Sequence, residues 1–87
     1  MIDSKYNVQR IITVYSEKTE ELVDELELSS FNLKSFQNIF NVNDNENPMI
    51  ECYEIEPKHV NSISKFLKQK YHWDFEKYSY FLEAYAV

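Results

Sequence analysis

The 87-residue chain is long enough for one folded domain and too short to set a large catalytic cleft beside a deep core. Its net charge of −6, from fifteen acidic and nine basic residues, disfavours nucleic acid as a direct ligand, because phosphate contact needs a positive surface. A hydrophobic content of 44 %, with seven Tyr and six Phe, excludes a disordered chain, and one cysteine excludes an intrachain disulfide.

In chain order, a first strand is expected from Tyr6 to Tyr15. Tyr6, Val8, Ile12 and Val14 share one parity, interrupted by Arg10, while Gln9, Ile11, Thr13 and Tyr15 form a mixed second face, as in a sheet covered on one side. A helix is expected next. Ser16 or Thr19 can cap it, Glu20 and Glu21 suit its first turn, and Leu22, Val23 and Leu26 form a short apolar stripe. Asn32 is a cap for a second short helix through Phe40, with Leu33, Phe36, Ile39 and Phe40 on its packing side.

The stretch Asn41–Asn47, NVNDNEN, reads as a surface loop because its Asn and Asp side chains compete for backbone hydrogen bonds. Met49–Ile55 alternates as a second strand, and Pro57 suits the opening turn of a third helix whose buried stripe is Val60, Ile63, Phe66, Leu67 and Tyr71. In the terminal stretch, Tyr78, Tyr80, Leu82, Ala84 and Ala86 alternate with Ser79, Phe81, Glu83, Tyr85 and Val87. Tyr78, Leu82 and Tyr85 also recur at helical spacing, but the aromatic density favours a strand. Both faces are so apolar that this strand should be central in a sheet or held against a partner.

These elements make a single domain over 1–87 of α+β class. The expected architecture is a two-layer sandwich, a three-stranded sheet with helices mainly on one face, in the order β-α-α-β-α-β. No apolar run has signal-peptide character or membrane-spanning length, so the cytosol is the expected compartment and no membrane contact is expected.

Chemistry-bearing motifs are scarce. His59 and His72 are thirteen positions apart and match no metal-binding spacing; His59 is expected to be exposed. Cys52 lies in an apolar run and reads as a small buried hydrophobe rather than a reactive thiol. A chain without glycine forms no phosphate-cradling loop, and NVNDNEN lacks the central Gly of a calcium loop. Glu51 with Glu83, or Glu54 with Glu56, could face each other across strands, yet sheet carboxylates do so without catalysis. No catalytic residue, cofactor or metal ligand is nominated, and an enzyme is not expected.

The charge is uneven. Residues 17 to 56 hold eleven carboxylates against Lys18 and Lys34, a net of −9, whereas 57 to 70 carry four lysines and no acid. That asymmetry suits a cationic protein partner. The candidate interface combines Glu20, Glu21, Asp24, Glu25 and Glu27 of the first expected helix with Asp44 and Glu46 of the loop. His72, Trp73 and Asp74 form a second patch at the turn before the last strand, and Glu83 projects from the otherwise hydrophobic FLEAY.

The central MIECYEIEP, the helix after it and the terminal DFEKYSYFLEAYA resemble a family of small bacterial proteins, many of them similar to immunity proteins of contact-dependent inhibition and other polymorphic toxin systems. The resemblance spans residues 33–87, with Tyr53, Pro57, Tyr78, Tyr80, Phe81 and Glu83 among the family-like positions. It implies a cytoplasmic antidote that binds and blocks a basic toxin domain, often a nuclease, and it carries over no functional residue. The other readings are a structural or regulatory homo-oligomer, such as a homo-dimer through the terminal strand, and a ligand-binding regulator.

Overall fold

The computed structural model describes residues 1–87. Its elements are β1 (Ile2–Asp3), β2 (Val8–Ser16), β3 (Leu22–Glu27), α1 (Leu33–Ile39), β4 (Tyr53–Ile55), a 3₁₀ turn (Pro57–His59) running into α2 (Val60–Ser64), and β5 (Tyr78–Ala86). The expected three-stranded sheet and its order β-α-α-β-α-β are overturned: the sheet has five strands and the order is β-β-β-α-β-α-β.

The molecule is built on the antiparallel pair β2 and β5, in register from Val8↔Ala86 to Ser16↔Tyr78. Along the other edge of β2, β1 pairs with Val8 and Gln9, and β3 pairs with Ile11 to Tyr15. Outside β5, β4 pairs through Tyr53↔Leu82 to Ile55↔Tyr80, also antiparallel. The terminal strand is therefore central, as its two apolar faces require.

The main correction falls on the helix expected after a Ser16 or Thr19 cap, with Leu22, Val23 and Leu26 as its stripe. Ser16 Oγ does accept from the amides of Lys18 and Thr19, at 3.2 and 3.1 Å, as a cap would. The turn then closes on itself, because Glu20 donates its amide to Ser16 O at 2.8 Å and takes φ 61, outside the right-handed helix. Ser16 N donates in turn to Glu21 O at 2.9 Å, and the chain returns as β3. Tertiary pairing outweighs local helix propensity here: Ile11, Ile12, Thr13 and Val14 are all buried, and a strand apolar on both faces needs a partner on each edge. Leu22 and Val23, counted on the helical stripe, are about half exposed, at 47 % and 52 %.

The covered face carries the core. Ile12, Val14, Tyr80, Leu82 and Ile55 of the sheet meet Leu28, Phe36, Met49 and Ile63 from the layer above. α1 starts where expected, with Asn32 Oδ1 accepting the Ser35 amide at 2.9 Å, a cap worth about 1 kcal/mol. Phe36 is fully buried, with ring centroids 4.4 Å from Phe31 and 4.9 Å from Phe66.

The expected strand over 49–55 shrinks to Tyr53–Ile55 because Arg10 holds its first part out of the sheet. The buried guanidinium donates to the carbonyls of Pro48 and Met49, pairs with Asp3 at 3.0 Å and lies 4.2 Å over the Phe31 ring. Met49 has φ 53 and its side chain is in the core.

The third expected helix ends at Ser64. Beyond it Leu67 forms an antiparallel bridge with Leu28, flanked by Ser29 N donating to Phe66 O and Lys68 N donating to Glu27 O, both at 2.9 Å or less. His59, expected at the surface, is only 6 % exposed: its Nδ1 accepts the Glu56 amide at 2.9 Å and its ring sits 4.6 Å from Phe40. No helix is long and apolar enough to cross a membrane.

Candidate functional site: the open face of the sheet

Successive residues of a strand point to opposite sides. While Arg10, Ile12 and Val14 face the helices with Tyr80 and Leu82, the alternate positions Ile11, Thr13, Tyr15, Ser79, Phe81, Glu83 and Tyr85 form the other face. The helix-side core draws no residue from that face. Ile11 and Thr13 are nonetheless buried, so the neighbouring rings and carboxylates of the face itself close over them. Tyr85 stays 36 % exposed, and Tyr15, Phe81 and Glu83 are half-buried.

Two carboxylates on this side are held by hydroxyls. Thr13 Oγ1 donates to Glu83 Oε2 across the β2–β5 pair, and Ser79 Oγ donates to Glu17 Oε1 at 2.7 Å. Between them the rings of Tyr15 and Phe81 meet edge to face, with centroids 5.7 Å apart and planes at 81°. A shallow depression of ≈ 370 Å³ is lined by Tyr15, Ser16, Glu17, Glu20, Cys52, Ser79, Phe81 and Glu83: three carboxylates, two aromatic rings and no basic side chain.

Two weak acids on this face are shifted upward, first by burial and then by the carboxylates beside them. Partial burial, then Glu83 and Glu54, push the Cys52 thiol up from its ordinary pKa. Burial, then Glu83, Glu25, Tyr15 and Cys52 do the same to the Tyr85 phenol. Cys52 is also exposed, against the expectation of a buried hydrophobe, because it precedes the shortened β4 instead of lying inside a longer strand.

The structure disperses the sequence-derived interface. Glu20 lines the depression, and Glu25 and Glu27 lie opposite Thr13 and Ile11 on the open side, although Glu27 is tied to Lys68 at 3.1 Å. Asp24 lies opposite Val14, with the other parity, and Glu21 is exposed in the hairpin turn. Asp44 and Glu46 belong to the loop folded over Gln37 of α1, where Asp44 Oδ1 accepts the Glu46 amide. In the second patch Trp73 and Asp74 are half-buried beside the exposed His72. Trp73 packs beside Tyr80 at 4.7 Å and donates to Ser64 Oγ, Asp74 caps the turn before β5, and only His72 is exposed.

Glu83 is thus the one nominee at the centre of the face. Its companions Thr13, Tyr15, Ser79 and Phe81 were not nominated. The available signal was the second parity of the first and last strands, which becomes a surface once no helix is assigned to cover it. No group of three or more His, Cys, Asp or Glu is placed to hold a metal ion.

Fold and site together define an antiparallel α+β domain with one face of its sheet packed under helices and the other presenting aromatic rings among carboxylates. The chain belongs to the family described as Domain of unknown function (DUF7683), whose model matches residues 9–83, from β2 to the Glu83 position of β5. No curated protein and no solved structure gives a significant match to it.

Proposed function

We propose that this chain is an immunity protein that binds a cationic toxin domain, a nuclease in the favoured case, and blocks its active or substrate-binding face. The observation that carries the reading is the open sheet face, aromatic at its centre and lined by three carboxylates with no basic side chain. A nuclease must attract phosphate, so its working surface is positive, and an acidic protein that occupies it gains fast, steered association. Tyr15, Phe81 and Tyr85 supply contact area of the kind that anchors interfaces. Like charges would oppose two copies meeting through this face, which favours a different protein over a second copy. The resemblance of MIECYEIEP, the helix after it and DFEKYSYFLEAYA to a family of small bacterial proteins, many of them similar to immunity proteins, supports the choice of a toxin as partner. In this reading the protein acts in the cytoplasm, by occlusion and without catalysis.

The test is co-expression and co-purification with the product of the gene immediately upstream, followed by titration of any toxic activity. Stoichiometric protection is expected, with an association rate that falls as salt screens the attraction. Replacing Glu17, Glu20 and Glu83 by Lys should slow association, whereas Asp44→Lys with Glu46→Lys should not. A folded protein that neither binds that product nor protects against it overturns the reading.

A further inference from the structure

The open face is not uniformly acidic, and the way its carboxylates are held narrows the partner's chemistry. Glu83 is fixed through Oε2 by the Thr13 hydroxyl, while Oε1 takes no hydrogen bond from the chain. No buried side-chain oxygen or nitrogen lacks a partner, so Oε1 is open to solvent. Beside Glu83 on the same strand face stands Phe81, in edge-to-face contact with Tyr15 across the pair. An oriented carboxylate with a free oxygen next to aromatic surface matches a flat, weakly hydrated cation, which can stack on a ring and donate to the oxygen together. An ammonium group meets the charge and the ring quadrupole but has no planar fork to stack, and an uncharged group satisfies only the stacking.

We infer that the depression is an anchor pocket for one arginine side chain of the protein partner, with Glu83 receiving its guanidinium and Tyr15 and Phe81 flanking it. This deepens the immunity reading and rests on it for the nature of the partner. Thr13 is a positioning residue: by holding the carboxylate in place it reduces the side-chain ordering left to occur on binding. Glu17, held by Ser79 farther along β5, gives the same pocket a second negative end. Cys52 lines it as a built-in reporter, since Glu83 is one cause of its raised pKa.

The probe is N-acetyl-arginine amide, titrated into the intact chain and followed by NMR at Thr13, Tyr15, Phe81 and Glu83, with the citrulline and lysine derivatives in parallel. Arginine should give saturable shifts at these residues and move the pH profile of Cys52 alkylation downward. Citrulline, of nearly the same shape without charge, should give no saturable shift, and lysine, a strongly hydrated cation without the planar stacking fork, should bind about 2- to 5-fold more weakly. Glu83→Gln keeps an acceptor for Thr13 and should abolish the arginine response without unfolding the protein. Equal shifts from arginine and citrulline, an unchanged response in Glu83→Gln, or shifts confined to Glu20–Glu27 would overturn the pocket. Arginine binding at Glu83 with no protection by the chain would sustain the pocket and reject the antidote. Protection and affinity for the toxin unchanged in Glu83→Gln would do the reverse.

Discussion

The two faces of one strand pair do opposite things with polar groups. On the covered face Arg10, Gln37 and His59 are buried and their hydrogen bonds end within the chain, on the carbonyls of residues 44–49, on Asp3 and on the Glu56 amide. On the open face, residues one position away in β2 and β5 hold carboxylates with an oxygen left over. A satisfied group specifies the fold, because leaving it unpaired in the interior is costly; an oriented group with spare capacity leaves room for a ligand.

The sharpest way to break the covered face is through Arg10. Arg10→Ala strips partners from Pro48 O and Met49 O and leaves Asp3 unpaired, so a loss of about 3–5 kcal/mol is expected in urea unfolding. Next comes a matched pair on β5. Leu82→Ala empties a site that is 1 % exposed and should cost about 2–5 kcal/mol, whereas Phe81→Ala, on the half-exposed side, should cost about 1 kcal/mol. Equal losses for the two would mean that both faces are core and would remove the distinction.

How much of this was legible follows from where the decisive interactions lie. The two long strands, the Asn32 cap and the Pro57 start are written in local patterns, and the structure keeps each of them. In the stretch that becomes β3, Glu and Leu favour helix locally, while its pairing is decided by the unsatisfied edge of β2. The shortened β4 depends on Arg10, 39 residues from Met49, a contact that no window along the chain contains. The same holds for the site: Thr13 and Glu83 are 70 residues apart in sequence and meet only through the β2–β5 register.

His59 tests the covered face by pH. Burial lowers its pKa, and this outweighs the opposing pull of Glu56. The neutral ring is therefore the native form, so its contribution to stability is present above the unfolded pKa of about 6.5 and is lost as pH falls from there through the lower folded-state pKa. Urea midpoints should drop as pH falls below about 6.5 more steeply in the native sequence than in His59→Asn, whose side-chain oxygen can still accept the Glu56 amide. Parallel pH curves for the two proteins would place the titrating group elsewhere.

The smallest expected effect sits on the open face, at Cys52. The thiol is exposed, so a small alkylating reagent should reach it without unfolding, whatever the global stability. Its pKa is raised by partial burial and by Glu83 and Glu54, so less thiolate is present at neutral pH and the alkylation profile should rise at higher pH than that of a free thiol. Glu83→Gln removes one of the raising charges and should shift the profile downward, as should added salt, which screens that charge. The covered-face change Gln37→Met should leave the profile where it is, because Gln37 bonds to the loop carbonyls above α1. A profile that needs denaturant to appear would put Cys52 in the core and close the open face; one that ignores Glu83→Gln would separate the thiol from the carboxylate and take away the negative depression.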